Sequence, residues 1–540
     1  MSVIRRILAL MACALTLISS HAVPIRRGPG MILPESVMPT DRDNPALWNR
    51  HTAARFTTKG ASPGEYATNN MNRTGKVEFL VVLAEFPNRP FRLQDTTALR
   101  NRYERMFNGN DYTDTVCFHG NSYVTTGSVS NYFKSQSYGK FEPVFRIVGP
   151  IRTAYGYETY GKDINRTDAN GVERLVKEMC DSLSKMGINL ADFDQDGDGN
   201  LENLSIIFAG RGQNYDGGEE NAIWPQASLL QLGRYNVNEL NFMCTCELCW
   251  DSDSVPDGIG TFCHEFSHTL GLPDYYISSN NPYHTAMGYW SLMDYGTYEN
   301  EGFSPVGYTA FEKYSLGWLD IEEIIAPGSY WLSDISREPD PDADIHTAYR
   351  LNSEEGNENR FIILENHNRN GWYKYHKSEG LMVTVVSYSA SSWMGNTVNQ
   401  SSSSKRYYLL PADNDYNRYS NAGDLYPYMG NDSITPTSTP KLATILYKLF
   451  NIERKDSIVT FTVSDRYTAV NRIDAPKTSI ECIDGTVRIS APANSCVEIF
   501  DISGRRLVDA VIPGPSWQYR LPGQGIYIVR CAGITKKVRN

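Results

Sequence analysis

The sequence has no excess of positive charge and no long hydrophobic stretch in its body. Its 540 residues include 51 Lys and Arg against 62 Asp and Glu, a formal net charge of −11. A general affinity for nucleic acid is therefore not expected, because such binding depends on a positive surface. The longest apolar run, Ile7–Ser19, is shorter than the roughly 18 to 20 residues that span a bilayer. We expect no transmembrane segment in the mature chain.

The apolar run at the amino terminus predicts export. Two arginines precede it, and the small residue Ala22 suits cleavage before Val23. We interpret residues 1–22 as a secretory signal peptide and expect a secreted or cell-surface protein. The alternatives are a buried amino-terminal helix and lipidation at Cys13.

Cysteine is scarce, with ten residues in the whole chain. Removal of Cys13 leaves an odd number, so at least one thiol is unpaired or intermolecular. The fold must therefore rest on hydrophobic cores rather than on a disulfide scaffold. The segment CTCELC, from Cys244 to Cys249, resembles half of a zinc or iron–sulfur site, but no second half is nearby. We expect disulfides there, with Cys263 as a candidate partner.

Changes of pattern divide the rest of the chain into four regions. Residues 23–75 are rich in Pro, Arg, Asn and Thr without periodicity, which is typical of a pro-segment or linker. Alternating strand and helix patterns predict an α+β domain over residues 76–330. Short strands between Gly, Asn, Ser and Pro predict a β-rich domain over 331–466, and residues 467–540 suit a small β-sandwich.

Several segments have patterns clear enough to assign individually. Apolar residues at helical spacing predict helices around Tyr132 and over residues 171–190. Runs of β-branched and apolar residues predict strands at KVEFLVVLAEF, LSIIFAG, FIILENH, GLMVTVVSYS, RYYLLPA, SIVTFTV, VRISA, CVEIFDI and GIYIVRC.

The most informative segment is GIGTFCHEFSHTLGLPDYY, which contains the pattern H-E-x-x-H. His264 and His268 are one helical turn apart, so both imidazoles can bind one Zn²⁺. Glu265 would then act as the general base and acid for a zinc-activated water, which predicts peptide hydrolysis. Gly271 can end the helix sharply and bring Asp274 back as a third ligand, which leaves a position open for water.

Two other interpretations of the pattern are a helix whose histidines are only structural and a zinc ion that only holds the fold. Structural zinc sites usually close with four ligands rich in cysteine, which this segment does not supply.

This segment resembles the metzincin zinc proteases and, within them, the immune inhibitor A family of secreted bacterial metalloproteases. Other segments similar to that family are FLVVLAEFPN, YFKSQSYGKF, the pair Trp224 and Pro225, GFSPVGYTAFEKYSLGW and the β-rich region 331–466. The resemblance implies a metzincin-like catalytic domain followed by a β-rich domain.

The resemblance also implies roles for residues after the zinc motif. Met293, in GYWSLMDYG, would be the Met-turn methionine beneath the zinc, and Tyr295 would bind zinc or hydrogen-bond the oxyanion. Ser267 stands where the family commonly has glycine. Metzincins use either His or Asp as the third ligand, which here is Asp274.

The segment DFDQDGDGNLEN predicts a structural calcium site, because clustered carboxylates repel one another without a cation. From Asp194 it matches the first positions of an EF-hand-like loop, but position twelve is Ser205 rather than Glu. The alternative is a solvated acidic turn. The candidate calcium ligands are Asp194, Asp196, Asp198, Asn200 and Glu202.

The carboxyl-terminal segments VEIFDISGRRL and GQGIYIVRCAGITKKVRN resemble the sorting domain of the type IX secretion system in Bacteroidota. The resemblance implies that the outer-membrane export machinery is a partner of residues 467–540. The alternative is an accessory sandwich that binds sugar or stabilises the chain. The residues that carry the resemblance are Gly504, Arg505, Arg506, Gly525, Tyr527, Lys536 and Lys537.

Together these features predict an exported zinc endopeptidase that acts on proteins or peptides, with Zn²⁺ and a structural Ca²⁺. The alternatives are a surface adhesin that keeps a protease fold without turnover, and a zinc exopeptidase or amidase. Residues 23–75 contain no cysteine, so inhibition by that segment would need another ligand, such as Asp41 or Asp43.

Overall fold

The structure is a computed structural model with two compact units, the first ending at Asp465 and the second starting at Arg466. The predicted signal peptide, except residues 21–22, and most of the predicted pro-segment, including Asp41 and Asp43, lie outside the described residues. The structure describes residues 21–22 and 71–540, apart from 119, 162–170, 216–220, 250–254, 278–285, 355–356, 417–419, 436–446, 465–478, 492–494, 513–515 and 532–533.

Strands outnumber helices in this part of the chain. The strands are β1 His21–Ala22, β2 Gly75–Glu85, β3 Thr115–Phe118, β4 Asn121–Val124, β5 Phe141–Arg152, β6 Leu201–Arg211, β7 Gln226–Arg234, β8 Val237–Leu248, β9 Glu322–Glu323, β10 Gly328–Leu332, β11 Ala348–Glu354, β12 Asn357–His367, β13 Gly380–Ser387, β14 Tyr407–Leu409, β15 Leu449–Lys455, β16 Ile458–Val463, β17 Ser479–Ile483, β18 Thr486–Ser490, β19 Cys496–Asp501, β20 Arg506–Val511, β21 Ser516–Arg520, β22 Ile526–Cys531 and β23 Ile534–Arg539.

The helices are fewer among the described residues, and none of them is long and apolar enough to cross a membrane. The α-helices are α1 Thr96–Asn108, α2 Val129–Gln136, α3 Glu158–Gly161, α4 Gly171–Lys185, α5 Gly260–Leu270, α6 Ala310–Ser315 and α7 Ala390–Met394. The 3-10 helices are Leu190–Phe193, Gly288–Trp290, Tyr295–Gly302, Pro341–Ala343 and Gly371–Tyr373.

The assigned strand and helix patterns are confirmed. The run KVEFLVVLAEF forms β2, the helix around Tyr132 is α2, and the helical spacing after Gly171 is α4. Local sequence explains where α2 begins, because Ser128 accepts the backbone N–H of Asn131 while the Asn131 side chain accepts the N–H of Ser128. The remaining predicted strands lie in β6, β12, β13, β14, β16, β18, β19 and β22.

A six-stranded mixed sheet carries the predicted catalytic region. Its order is β1-β7-β8-β6-β2-β5, in which β5, β2, β6 and β8 run parallel and β7 is antiparallel to β8. The centre of β2 is buried on both faces, which is why its sequence is apolar without alternation. At the edge of the sheet opposite β5, His21 and Ala22 pair with β7. These two residues end the predicted signal peptide, so a chain cleaved after Ala22 would lack β1.

The first unit also contains a sheet of order β14-β13-β12-β11-β9, a sheet of order β10-β16-β15 and the two-stranded sheet β3-β4. Alternate residues of β12 face different cores. Phe361 and Ile363 pack in the core that also contains β2, while Ile362 and Leu364 pack with the second of these sheets. The main core is therefore continuous across residue 330, although the division into catalytic and β-rich domains there stays a prediction. The described chain is a mixed α/β protein with a β-rich second half.

The second unit contains seven described strands in two antiparallel sheets. The orders are β17-β18-β21 and β20-β19-β22-β23. Alternating side chains of both sheets, such as Val487, Ile489, Val497 and Val529, fill one buried core. This unit has its own core, separate from those of the first unit.

Candidate metal centre

Helix α5 carries the H-E-x-x-H motif and is buried along its whole length. Aromatic contacts hold it against the main sheet, since the ring of Phe266 lies 5.0 Å from those of Phe79 and Phe133. The helix begins where the chain passes very close to another segment. A Cβ on Gly260 would lie 2.0 Å from the carbonyl oxygen of Thr297, so a larger residue does not fit without movement.

The carboxyl end of α5 confirms the role expected of Gly271. This residue has a φ of 110°, a left-handed conformation that favours glycine. Its N–H lies 3.0 Å from the carbonyl oxygen of Ser267 and 2.9 Å from that of His268. The chain therefore leaves the helix abruptly and turns back toward the histidines.

Backbone carbonyls orient both imidazoles of the motif. His264 Nδ1 lies 2.8 Å from the carbonyl oxygen of Leu292, and His268 Nδ1 lies 2.7 Å from that of Leu272. A carbonyl can only accept, so each Nδ1 carries the hydrogen and each Nε2 keeps a lone pair. Burial also lowers the pKa of His268, which keeps its ring neutral. These contacts leave the Nε2 atom of each ring to bind a metal.

Asp274 completes the group of donors. Its Oδ1 lies 3.1 Å from His264 Nε2 and 3.2 Å from His268 Nε2, and one donor atom from each residue lies within 4.8 Å of the others. Two neutral imidazoles and one carboxylate in a buried position are a donor set that fits zinc. The sequence-predicted ligands are therefore brought together.

Glu265 is fully buried and follows the first histidine on α5. The side chain of Tyr276 interacts with this carboxylate and with that of Asp274. Burial and these two charges raise the pKa of Tyr276 well above its usual value, so its hydroxyl stays protonated. The sequence prediction did not single out Tyr276. Its only signal is its position two residues after the third candidate ligand.

The segment around Met293, which is the predicted Met-turn, lies against the loop that carries Asp274. Met293 is fully buried, and its carbonyl oxygen accepts the N–H of Tyr275 at 2.8 Å. Asp294 fixes the turn by accepting the N–H groups of Met287 at 3.0 Å and Tyr295 at 2.9 Å. The Tyr295 ring lies next to that of Tyr289, with 6.1 Å between the centroids. The roles of Met293 and Tyr295 in the reaction stay predictions.

A hydroxyl fits at position 267, where the family resemblance leads one to expect glycine. Ser267 Oγ donates to the carbonyl oxygen of Cys263 at 2.6 Å and forms a hydrogen bond with the hydroxyl of Tyr308. Both contacts are buried, and the one with Tyr308 links α5 to the segment before α6.

Asn396 reaches the metal centre from the β-rich half of the chain. Its Nδ2 donates to Asp274 Oδ2 at 2.6 Å, and its Oδ1 accepts the backbone N–H of Asp274 at 2.7 Å. The two residues are 122 positions apart. Sequence reasoning missed Asn396, because no local pattern marks an asparagine in a serine-rich loop.

The predicted calcium loop also gathers its donors. One oxygen from each of the four acidic residues Asp194, Asp196, Asp198 and Glu202 lies within 4.8 Å of the others. Backbone N–H groups of the same loop hold these carboxylates. The N–H groups of Gly197 and Gly199, for example, donate to Asp194 at 2.8 and 2.9 Å.

The side chain of Asn200 has other partners. Its Nδ2 donates to Asp198 Oδ2 at 2.9 Å, and its Oδ1 accepts the N–H of Glu239 at 3.2 Å. A calcium ligand from Asn200 would therefore be its backbone carbonyl oxygen.

The expectation of disulfides in CTCELC is wrong. All nine described cysteines are free thiols, including Cys263. Cys244 and Cys246 lie within the buried strand β8, where each is packed as a small apolar side chain, and burial raises the pKa values of both thiols. In the part of the chain that the structure describes, the two acidic or histidine groups above are the clusters with three or more candidate metal ligands. The cysteines form no third one.

Known proteins with similar sequences are metalloproteases. Residues 65–320 match the family described as immune inhibitor A peptidase M6, catalytic domain. The pre-pro-metalloprotease PrtV of Vibrio cholerae is 28% identical over 298 residues, which cover 47% of this chain and 31% of PrtV. Immune inhibitor A of Bacillus thuringiensis is 25% identical over 258 residues, which cover 42% of this chain and 37% of that protein.

One solved structure is only weakly similar. It is that of PorZ, a surface component of the type IX secretion system of Porphyromonas gingivalis, with 12% identity over 35% of this chain and 22% of PorZ. Its TM-score of 0.11 is too low to indicate a shared fold.

The chain spans about a third of the length of the curated relatives it matches. The matched stretch nevertheless contains every predicted zinc ligand, the glutamate between them and the Met-turn segment. Residues 65–320 are thus similar to the catalytic domain of the immune inhibitor A metalloproteases, peptidase family M6.

Proposed function

We propose that this protein is an exported zinc-dependent endopeptidase that hydrolyses protein or peptide substrates. The observation that carries the proposal is the convergence of His264 Nε2, His268 Nε2 and Asp274 Oδ1 beside the buried Glu265. These three residues would hold Zn²⁺. When bound, the metal supplies Lewis acidity and makes water a nucleophile near neutral pH. The metzincin assignment is part of this proposal.

The residues around the ligands have distinct tasks. Glu265 accepts a proton from the attacking water and returns it to the leaving amine, as a buried carboxylate next to the reacting carbonyl can do. A tyrosine hydroxyl donates a hydrogen bond to the oxygen that becomes negatively charged, and Tyr295 is the first candidate for it. Tyr276 is the second, because its hydroxyl lies beside Asp274 and Glu265. Met293 supports the site from below.

Strand β7 offers a way to bind an extended substrate. In the full chain, Gln226 and Ala227 of β7 pair with residues 21–22. Removal of the signal peptide frees these backbone groups at the edge of the main sheet. An extended peptide can pair with such an edge in the same antiparallel manner.

Glu265 separates the proposal from its main alternative, a surface adhesin on a protease fold. A binding protein would need the metal ligands at most, whereas the buried glutamate serves only turnover. An exopeptidase or amidase would keep the same residues, and its cleavage products would distinguish it.

The experiment compares the protein without its signal peptide, residues 23–540, with the Glu265→Gln variant of the same chain on unfolded casein. The wild type should produce internal fragments, and a zinc chelator should stop the reaction. The variant should bind about one zinc per chain and be inert. Glu142→Gln is the matched control, because Glu142 forms a surface ion pair with Lys134 and should leave activity unchanged. Zinc binding without cleavage by the wild type would favour the adhesin, and release of terminal residues alone would favour the exopeptidase.

A structural Ca²⁺ in the acidic loop is a further part of the proposal. The four carboxylates within 4.8 Å support it, since their mutual repulsion is relieved by a cation with oxygen ligands. The ion would fix the start of β6, where Glu202 is buried.

The carboxyl-terminal unit is proposed to direct export across the outer membrane. Its separate core supports a role independent of the protease, and the exposed basic end at Lys536 and Lys537 would be read by the export machinery. Deletion of residues 467–540 should leave active protease inside the cell envelope. Unchanged release would instead favour an accessory sandwich. The signal peptide 1–22, and inhibition by residues 23–75 through Asp41 or Asp43, are proposals of the same kind.

A further inference from the structure

Asn396 makes a two-point contact with the third candidate zinc ligand. The carboxylate of Asp274 has one oxygen, Oδ1, facing the two imidazoles, while its other oxygen, Oδ2, accepts a hydrogen bond from Asn396 at 2.6 Å. The same amide accepts the backbone N–H of Asp274 at 2.7 Å. Side chain and backbone of the ligand are thus fixed by one residue, which leaves the carboxylate little freedom to rotate.

The position of Asn396 depends on a local turn after α7. The N–H of Gly395 donates to Ser391 at 2.9 Å and that of Thr397 donates to Ser392 at 2.8 Å. Asn396 itself has a φ of 51°, a left-handed conformation that asparagine adopts more readily than other residues with a side chain. The turn therefore suits asparagine both in its backbone and in its side chain.

A second contact anchors the same segment to the zinc-binding loop. Asn399 is buried, and its Nδ2 donates to the carbonyl oxygens of Tyr275 and Tyr407, both at 2.7 Å. The rings of Tyr275 and Tyr407 meet edge to face with 4.6 Å between their centroids. The residue after the ligand is thus attached to β14.

We propose that Asn396 is the positioning residue of the third zinc ligand, so that the segment 390–407 of the β-rich half is part of the metal centre. This inference rests on the proposed zinc site. Partners that hydrogen-bond a ligating carboxylate set its orientation, and their loss typically weakens metal binding by about 10- to 100-fold.

The test measures zinc affinity of the full-length protein by competition with a chelator of known affinity. Asn396→Gly removes the amide but keeps the left-handed backbone, and it should bind zinc about 10- to 100-fold more weakly than the wild type. Asn414→Gly is the matched control, because Asn414 is also left-handed, with a φ of 60°. The zinc affinity of this variant should equal that of the wild type. Excess zinc should restore proteolysis by Asn396→Gly.

Thermal unfolding separates positioning from a merely structural role. Without zinc, Asn396→Gly should unfold near the wild-type temperature, and the increase on adding a fixed zinc concentration should be smaller than in the wild type. Unchanged zinc affinity, or a lower unfolding temperature without zinc together with a full zinc-induced increase, would overturn the inference. A wild type that binds no zinc would refute the proposed function instead.

Discussion

The zinc site and the acidic loop both bring candidate metal ligands within 4.8 Å, but they are held in different ways. The proposed zinc ligands are buried. Groups distant in sequence orient two of them, the carbonyl of Leu292 for His264 and the amide of Asn396 for Asp274, while the nearby carbonyl of Leu272 orients His268. Of the acidic residues, Asp196 and Asp198 are exposed, and backbone N–H groups of the same loop hold the three aspartates.

This difference teaches how much each site depends on its metal. In the proposed zinc site, hydrogen bonds orient the three ligand side chains before a metal binds. The acidic loop instead gathers like charges, so its conformation benefits from a cation. Each of the following predictions tests one side of this comparison.

The largest effect is expected at a zinc ligand. His268→Ala should weaken zinc binding by more than about 100-fold, because loss of an outer partner alone costs about 10- to 100-fold, and it should abolish proteolysis. Metal analysis after dialysis and casein digestion measure both. His346→Ala is the control, since His346 pairs with Glu322 far along the chain from the site and should affect neither. Retention of one zinc per chain by His268→Ala would show that His268 is not a zinc ligand.

The next effect concerns the tyrosine hydroxyls at the zinc site. If Tyr295 donates to the oxyanion, Tyr295→Phe should lower kcat by about 10²- to 10³-fold with little change in KM or zinc content. Tyr276→Phe should then have the smaller effect. The reverse order would assign the donor to Tyr276. Tyr330→Phe is a matched control, because its hydroxyl bonds the carbonyl of Ala326.

Calcium should stabilise the protein through the acidic loop. With zinc held constant, Ca²⁺ at about 100 times its dissociation constant should raise the free energy of unfolding by about 2.7 kcal/mol. Asp196→Asn removes one of the four clustered carboxylates and should reduce this increase, whereas Asp342→Asn, on an exposed turn, should not. Thermal unfolding at several calcium concentrations measures the shift. A wild type insensitive to Ca²⁺ would leave the loop as a solvated turn.

The last effect is the pH dependence that Glu202 gives the calcium-free protein. Burial raises the pKa of Glu202 to about 7 from an ordinary value of 4.5. Between these values the folded state holds a proton that the unfolded state has lost, so the free energy of unfolding should fall as pH rises through this window. The slope is up to about 1.4 kcal/mol per pH unit.

Glu202→Gln cannot ionise, so its unfolding free energy should lack this slope. Urea unfolding at pH 5, 6 and 7 without calcium compares the two proteins. Equal slopes would show that Glu202 is not the titrating group.

The parts of the site that follow from short-range geometry could be predicted from the sequence. The spacing of His264 and His268 places them on one face of a helix, and Gly271 marks its end. Asn396 and the carbonyl of Leu292 could not be found in this way. Their roles arise from tertiary contacts that no local pattern encodes.

Two expectations about the fold show the same limit. The change of pattern near residue 330 reflects a change from mixed to β-rich structure, but the core continues across it through Phe361 and Ile363. The cysteines of CTCELC are close in sequence, yet a buried strand holds them as separate thiols. Sequence patterns report local structure better than they report which surfaces share a core.

The contact between Asp274 and Asn396 has a consequence for the timing of folding. A chain made from its amino terminus supplies the histidines first and the asparagine 122 residues after the aspartate, which at about 5 to 20 residues per second is an interval of roughly 6 to 24 s. A nascent or prematurely ended chain can form α5 but lacks the residue that fixes its last ligand. On the proposed function, the metal centre is therefore complete only when the segment that carries Asn396 has folded onto it.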